Sequence, residues 1–158
     1  MPSPLHPTRE IAYGVITYLA ALPLIVLAAA ALGRFLPNAP TPPNPAIALA
    51  LRAQGFWDWA ILILVVVVVA PLFEEVFFRG ALYAAIRRHA GAGAAVAVTS
   101  LFFALVHTQL PLGSLPILAL GIVFALAVEL RRSLIPSIVA HMLNNGVALL
   151  LLAVVRTP

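Results

Sequence analysis

The 158-residue chain contains no cysteine, and every basic residue is arginine. Without cysteine, disulfides, thiolate metal sites and a cysteine nucleophile are all excluded. Charge is scarce as well: 9% of residues are charged and 63% are hydrophobic, a balance that a soluble domain of this size cannot accommodate. The formal net charge is +4. Its arginines stand singly or in pairs with no aromatic interleaving, which argues against nucleic-acid binding. No internal repeat and no long charge run occurs, and the length suits one domain.

What is present is a series of apolar runs. Met1 to Glu10 reads as a polar lead. Ile11 to Leu32 is about 22 residues long, enough to cross the hydrocarbon core as a helix, with Pro23 as an expected kink. Small residues at Ala28 to Ala31 resemble a signal-peptidase site, but the apolar stretch exceeds a usual signal core and reads as a retained span. Pro37 to Pro45 is an extended, proline-rich linker. Ala46 to Gly55 is expected to lie along the membrane interface, and Trp57 and Trp59 mark the entry of a second span. That span continues to about Arg87, because an unbroken apolar run argues for a helix rather than an alternating barrel strand. Ala94 to His107, about Leu115 to Leu130 and about Leu134 to Val155 give three more, with Thr108 to Pro116 as a loop. The expectation is an all-α, polytopic transmembrane helix bundle of about five spans. Residues 1–56 form an N-terminal span plus a Pro-rich loop, and residues 57–158 form a helical core. Arg9, Arg87, Arg88, Arg131 and Arg132 fall on one side, against Arg34, Arg52 and Arg156. The positive-inside rule then predicts a cytoplasmic N-terminus.

Polar groups interrupt three of the apolar runs. The second span carries Glu74, Glu75 and Arg79, the third ends in Phe103 and His107, and the fifth holds His141, Asn144 and Asn145. Ionisable groups at such positions are costly and by default mark function. Glu75/Arg79, Phe103/His107 and His141/Asn145 are each four apart, so each pair shares one helix face. At about 1.5 Å rise per residue, Glu74, His107 and Asn145 each lie roughly 20 Å from the arginine or glycine turn bounding their helix. They can therefore meet in one layer. Pro71, one turn before the carboxylates, is expected to bend the helix and free backbone carbonyls for a polar cavity.

Glu75 and Arg79 read most simply as an ion pair that neutralises itself in a low dielectric. His107 alone reads as a helix cap, and His141 or Asn145 alone as interhelical glue. Glu74 is harder to explain away, because Arg79 satisfies only one carboxylate well. Together the residues contain the parts of a hydrolase. A buried Glu beside a His suits proton abstraction from water, and a His N–H with an Asn amide suits a developing oxyanion. Ser100, Ser114, Ser133 and Ser137 follow no nucleophile motif. Water activated by Glu and His is the first reading. A zinc site of Glu74, His107 and His141 is the second, although H-E-x-x-H is absent. Two non-enzymatic readings remain. One is a bacteriocin-immunity or scaffold protein, in which lipid-facing residues such as Val66 would matter more than Glu74. The other is a proton pathway, which five spans without a repeat do not favour.

The ordered motifs Glu74-Glu75-x-x-x-Arg79, Phe103-x-x-x-His107 and His141-x-x-x-Asn145 resemble those of the CPBP family, the CAAX-protease and bacteriocin-processing intramembrane endopeptidases. The resemblance covers about Trp57 to Val155. It implies a membrane protease acting on a membrane-associated protein or peptide, with lipid as its surroundings and no obligatory cofactor. By this resemblance Glu74 and His107 activate the water, His141 and Asn145 hold the oxyanion, Glu75 and Arg79 orient the site, and Phe103 packs beside it. Some relatives have been described as metal-dependent, which keeps zinc in view. Family members usually have several more N-terminal helices. With one span before the motif helix, the chain reads as a minimal member or a fragment, and a homo-oligomer would supply the missing cavity wall. The arginine-rich, lysine-free composition fits a bacterial inner membrane.

Overall fold

The computed structural model describes residues 6–38, 44–107 and 114–156. Helix α1 runs from Pro7 to Phe35, α2 from Pro45 to Arg52, α3 from Phe56 to Ile63, α4 from Ala70 to Glu75, α5 from Ala84 to Val106, α6 from Ser114 to Arg131 and α7 from Ile135 to Arg156. Two π-helical stretches, Leu64–Val69 and Val76–Tyr83, join α3 to α4 and α4 to α5. Phe56 to Val106 is therefore one helical path, broken in direction only at Gly91. There φ is +82°, a left-handed conformation that glycine adopts without Cβ strain. With that break the path gives two spans, and α1, α6 and α7 are each long and apolar enough to cross a membrane. The all-α bundle of about five spans is observed.

Two boundaries differ from expectation. The polar lead is already helical from Pro7, because proline at the first helical position leaves no orphan N–H. Glu10 is not solvated but buried, accepting from Arg131 Nε at 3.3 Å and from Nη2, while the Arg131 guanidinium stacks 3.8 Å over the Tyr13 ring. Pro45–Arg52 is a helix, α2, capped by Asn44, whose Oδ1 accepts from Ala46 N at 2.8 Å. Trp57 is exposed as expected of an interfacial aromatic. Trp59, however, packs against the buried cluster of Ala50, Leu62 and Leu149, tying α2 and α3 to α7. The loop at 108–113 and most of the Pro-rich linker lie outside the described residues.

The helices pack through small residues, as expected where lipid removes the hydrophobic drive for helix association. Helix α1 crosses α7 at Gly14, where an added Cβ would lie 2.5 Å from Val139 Cβ and 3.1 Å from the Pro136 carbonyl. Helix α6 crosses α5 at Gly121, where a Cβ would lie 3.0 Å from Ser100 Cα. Tyr18, Ala21, Leu120, Phe124 and Ala140 bury one core between α1, α6 and α7. At one end Glu129 ties three partners together: Tyr83 Oη donates to it at 2.7 Å, Arg87 Nε at 2.6 Å and Arg132 Nη2 at 3.1 Å. Arg132 has φ +55°, which ends α6 and turns the chain into α7.

Gly14→Ala is expected to lower stability by about 1–3 kcal/mol, because neither Val139 nor the Pro136 backbone can yield without separating α1 from α7. Thermal unfolding in detergent checks this.

Candidate active site

The two adjacent glutamates occupy different worlds. Successive helical residues lie about 100° apart, so Glu75 faces the bundle interior while Glu74 faces the cavity edge. Glu75 is fully buried, and its Oε1 accepts from Arg79 Nη1 at 2.9 Å and from His141 Nδ1 at 3.0 Å. Arg79, 1% exposed, donates Nη2 to the Gly121 carbonyl at 3.1 Å. Its guanidinium lies 4.4 Å from the Phe103 ring centroid and 5.4 Å from that of Phe124. Gly121 allows the close α5–α6 crossing that brings this carbonyl within reach. The ion pair expected from the i, i+4 spacing is therefore present, held by aromatic faces and a backbone oxygen as well as by its own charges.

That pair fixes His141. A carboxylate only accepts, so His141 must carry its proton on Nδ1. Its Nε2 then points away from Glu75 and towards Glu74 Oε2, 3.7 Å away. His107 reaches the same oxygen from another helix. Its Nδ1 donates to the Phe103 carbonyl at 2.6 Å, which leaves Nε2 facing Glu74 Oε2 at 3.8 Å. Phe103 packs against both imidazoles, with centroids 4.5 Å from His107 and 5.7 Å from His141. The sequence placed His107 within the third span. In the structure it caps that helix in an extended conformation, with φ −85° and ψ 129°, so its side chain turns inward rather than continuing the helix face.

Both imidazoles thus present Nε2 to one carboxylate oxygen that has no hydrogen-bond partner among the described residues. Spacings of 3.7 and 3.8 Å are too long for direct hydrogen bonds but let one oxygen atom bridge Glu74 to either imidazole. A closed tetrahedral zinc would hold its ligand atoms about 3.3 Å apart. Among the described residues no group of three His, Cys, Asp or Glu is arranged to hold a metal. As placed, Glu74 Oε2 stands 3.8 and 3.7 Å from the two Nε2 atoms, wider than that spacing.

A cavity of about 570 Å³ opens on this cluster. Glu74, His107, His141 and Asn145, with Asn44, supply its polar wall, and apolar side chains such as Ile47, Val106 and Leu149 line the rest. Asn145 hydrogen-bonds to neither histidine among the described residues. Its Nδ2 donates to the Val66 carbonyl at 2.9 Å, and its Oδ1 accepts from Asn144 Nδ2 at 3.2 Å. Val66, expected from the sequence to face lipid, borders the cavity and packs against the cluster of Ala50, Leu62 and Leu149. The structure brings Glu74, Glu75, Arg79, Phe103, His107 and His141 into one connected cluster and sets Asn145 on the same cavity. Sequence reasoning had no signal for α2, which supplies part of the apolar wall from a segment read as interfacial.

The family model for Rce1-like type II CAAX prenyl endopeptidases matches residues 56–147, more than half of the chain. The match spans all three motifs and agrees with the family they resemble. No curated protein and no solved structure matches the chain.

Arg79→Ala leaves Glu75 buried without its cation and is expected to cost about 3–5 kcal/mol of stability. A thermal melt of the purified variant in detergent checks this, and an unchanged melting temperature would remove Glu75–Arg79 as the anchor.

Proposed function

The chain belongs to the Rce1-like family of type II CAAX prenyl endopeptidases, and from that premise we propose that it hydrolyses a peptide bond of a membrane-associated protein or peptide, using a water activated by Glu74 and His107. The observation that carries the reading is the convergence of two imidazole Nε2 atoms on the unpartnered Glu74 Oε2 at the wall of an apolar cavity. One water donates a hydrogen bond to Glu74 Oε2 and another to the bare His107 Nε2, which leaves an oxygen lone pair directed at the scissile carbonyl. As the carbon–oxygen bond forms, Glu74 takes the proton, and it returns that proton to the departing amine as the carbon–nitrogen bond breaks.

The oxyanion is received by His141 and Asn145. Because Glu75 holds the His141 Nδ1 proton, His141 donates from Nε2 only as an imidazolium. Asn145 supplies the Nδ2 hydrogen that Val66 does not use. Glu75, Arg79 and Phe103 act by positioning. The reading needs neither metal nor cofactor.

The protein is integral to the membrane, with lipid against its exposed apolar faces. We place the N-terminus in the cytoplasm of a bacterial inner membrane, because Arg87, Arg131 and Arg132 gather with Glu10 and Glu129 at one end of the bundle.

Glu74→Gln removes the base while keeping the shape. Cleavage of a prenylated, quenched-fluorescence CAAX peptide in proteoliposomes is expected to fall about 10²–10⁴-fold with an unchanged melting temperature. Chelator-treated wild-type protein is expected to keep its rate. Full activity of Glu74→Gln would refute the assignment, and loss of activity on chelation with rescue by zinc would refute the metal-free chemistry.

A further inference from the structure

Helix positions 64–71 contain a register change that ends on a residue unable to follow it. The Ala70 amide donates to the Val65 carbonyl, five residues back, as a π-helical turn requires. The same register assigns the next amide, that of residue 71, to the Val66 carbonyl. Residue 71 is a buried proline and has no N–H. The Val66 carbonyl is thus left without its ladder donor inside a membrane helix, where an unsatisfied acceptor is costly. It is satisfied from another helix, by Asn145 Nδ2 at 2.9 Å.

This rests on the hydrolase reading above, and within it we propose that Pro71 is a positioning residue for the oxyanion-binding amide. By withholding an N–H it exposes the Val66 carbonyl, and that carbonyl selects the orientation of the Asn145 side chain. An amide has two ends. The Val66 oxygen accepts only, so it takes Nδ2 and rejects Oδ1. Asn144 secures the other end by donating to Asn145 Oδ1 at 3.2 Å. With both ends engaged, one Nδ2 hydrogen remains, and Val66, Asn145, His141 and Glu74 all border the same cavity. Without the Val66 acceptor the amide would be free to turn its oxygen towards the developing negative charge. The π-helical turn, the proline and the asparagine are one device, and the proline does its part by what it lacks.

The test is Pro71→Ala, which restores the N–H, made alone and combined with Asn145→Ala. The chain has four asparagines, Asn38, Asn44, Asn144 and Asn145, so selective ¹⁵N labelling gives four side-chain amide pairs, and Asn145→Ala assigns one. In the wild type the Asn145 pair is expected to show one downfield, slowly exchanging proton. In Pro71→Ala that proton is expected to move upfield and exchange faster. With the CAAX peptide, kcat is expected to fall at least about tenfold, short of the roughly 10²–10³-fold expected for losing the donor outright. KM should change less than about twofold and the melting temperature should not fall, since the helix gains a hydrogen bond. In the Asn145→Ala background the Pro71 change is expected to add nothing. An unshifted Asn145 signal in Pro71→Ala, an equal loss of kcat in both backgrounds, or no protected proton in the wild type overturns the proposal. Pro71→Ser carries the same comparison if the alanine variant does not fold. If Asn145→Ala itself leaves kcat unchanged, the oxyanion assignment fails, while the amide signal still reports whether Pro71 governs Asn145.

Discussion

A carboxylate buried in a membrane bundle must be matched charge for charge or it neutralises itself, and the geometry of this protein follows from how Glu75 is matched. Arg79 is one turn away on the same helix and cannot leave, because Phe103 and Phe124 cover its faces and the Gly121 carbonyl takes one of its N–H groups. Three helical elements are thereby locked around one ion pair: the path carrying Glu75 and Arg79, the α5 segment carrying Phe103, and α6 carrying Gly121 and Phe124. Helix α7 joins through His141. The glycine at the α5–α6 crossing and the glycine at the α1–α7 crossing let backbones come close enough for such a compact polar centre.

From that anchor the asymmetry between neighbouring glutamates follows. Glu75 is buried, and its Oε1 is held by both an arginine and an imidazole. Glu74, rotated to the cavity edge, meets only the far nitrogens of two histidines whose near nitrogens are already committed. Each histidine is oriented by a different acceptor, a carboxylate for His141 and a main-chain carbonyl for His107, and each acceptor fixes the tautomer as well as the direction. A pair of identical residues is thus divided into a holder and a reactive group by a rotation of about 100° on a helix.

Much of this was legible in the sequence because it is local. The i, i+4 spacing gave the Glu75–Arg79 pair and the Phe103–His107 contact, apolar run lengths gave the spans, and Pro71 signalled freed carbonyls. The meeting of Glu74, His107 and His141 could be anticipated from depth alone, since membrane thickness makes helical rise a common ruler. What escaped depends on partners distant in the chain. Glu10 reads as part of a solvated lead until Arg131 is beside it. Glu129 and Tyr83, 46 residues apart, carry no mutual signal. The packing of Trp59 and Val66 on Ala50, Leu62 and Leu149 was not legible, because hydrophobicity does not distinguish a lipid neighbour from a protein one. Asn145 was expected beside His141 by spacing, yet its partner is a backbone oxygen exposed by a π-helical register that side-chain periodicity does not encode.

Histidine protonation is the most direct report on the arrangement of Glu75, His141 and Glu74. The chain has four histidines, His6, His89, His107 and His141, and ¹⁵N-histidine spectra of the protein in lipid, assigned by single substitutions, separate protonated from bare ring nitrogens. The account predicts a proton on Nδ1 of both His107 and His141, each held by its acceptor, and a bare Nε2 on His107. A His141 ring with Nδ1 bare would contradict it, because Glu75 would then not hold that imidazole and nothing would aim Nε2 at the reacting centre.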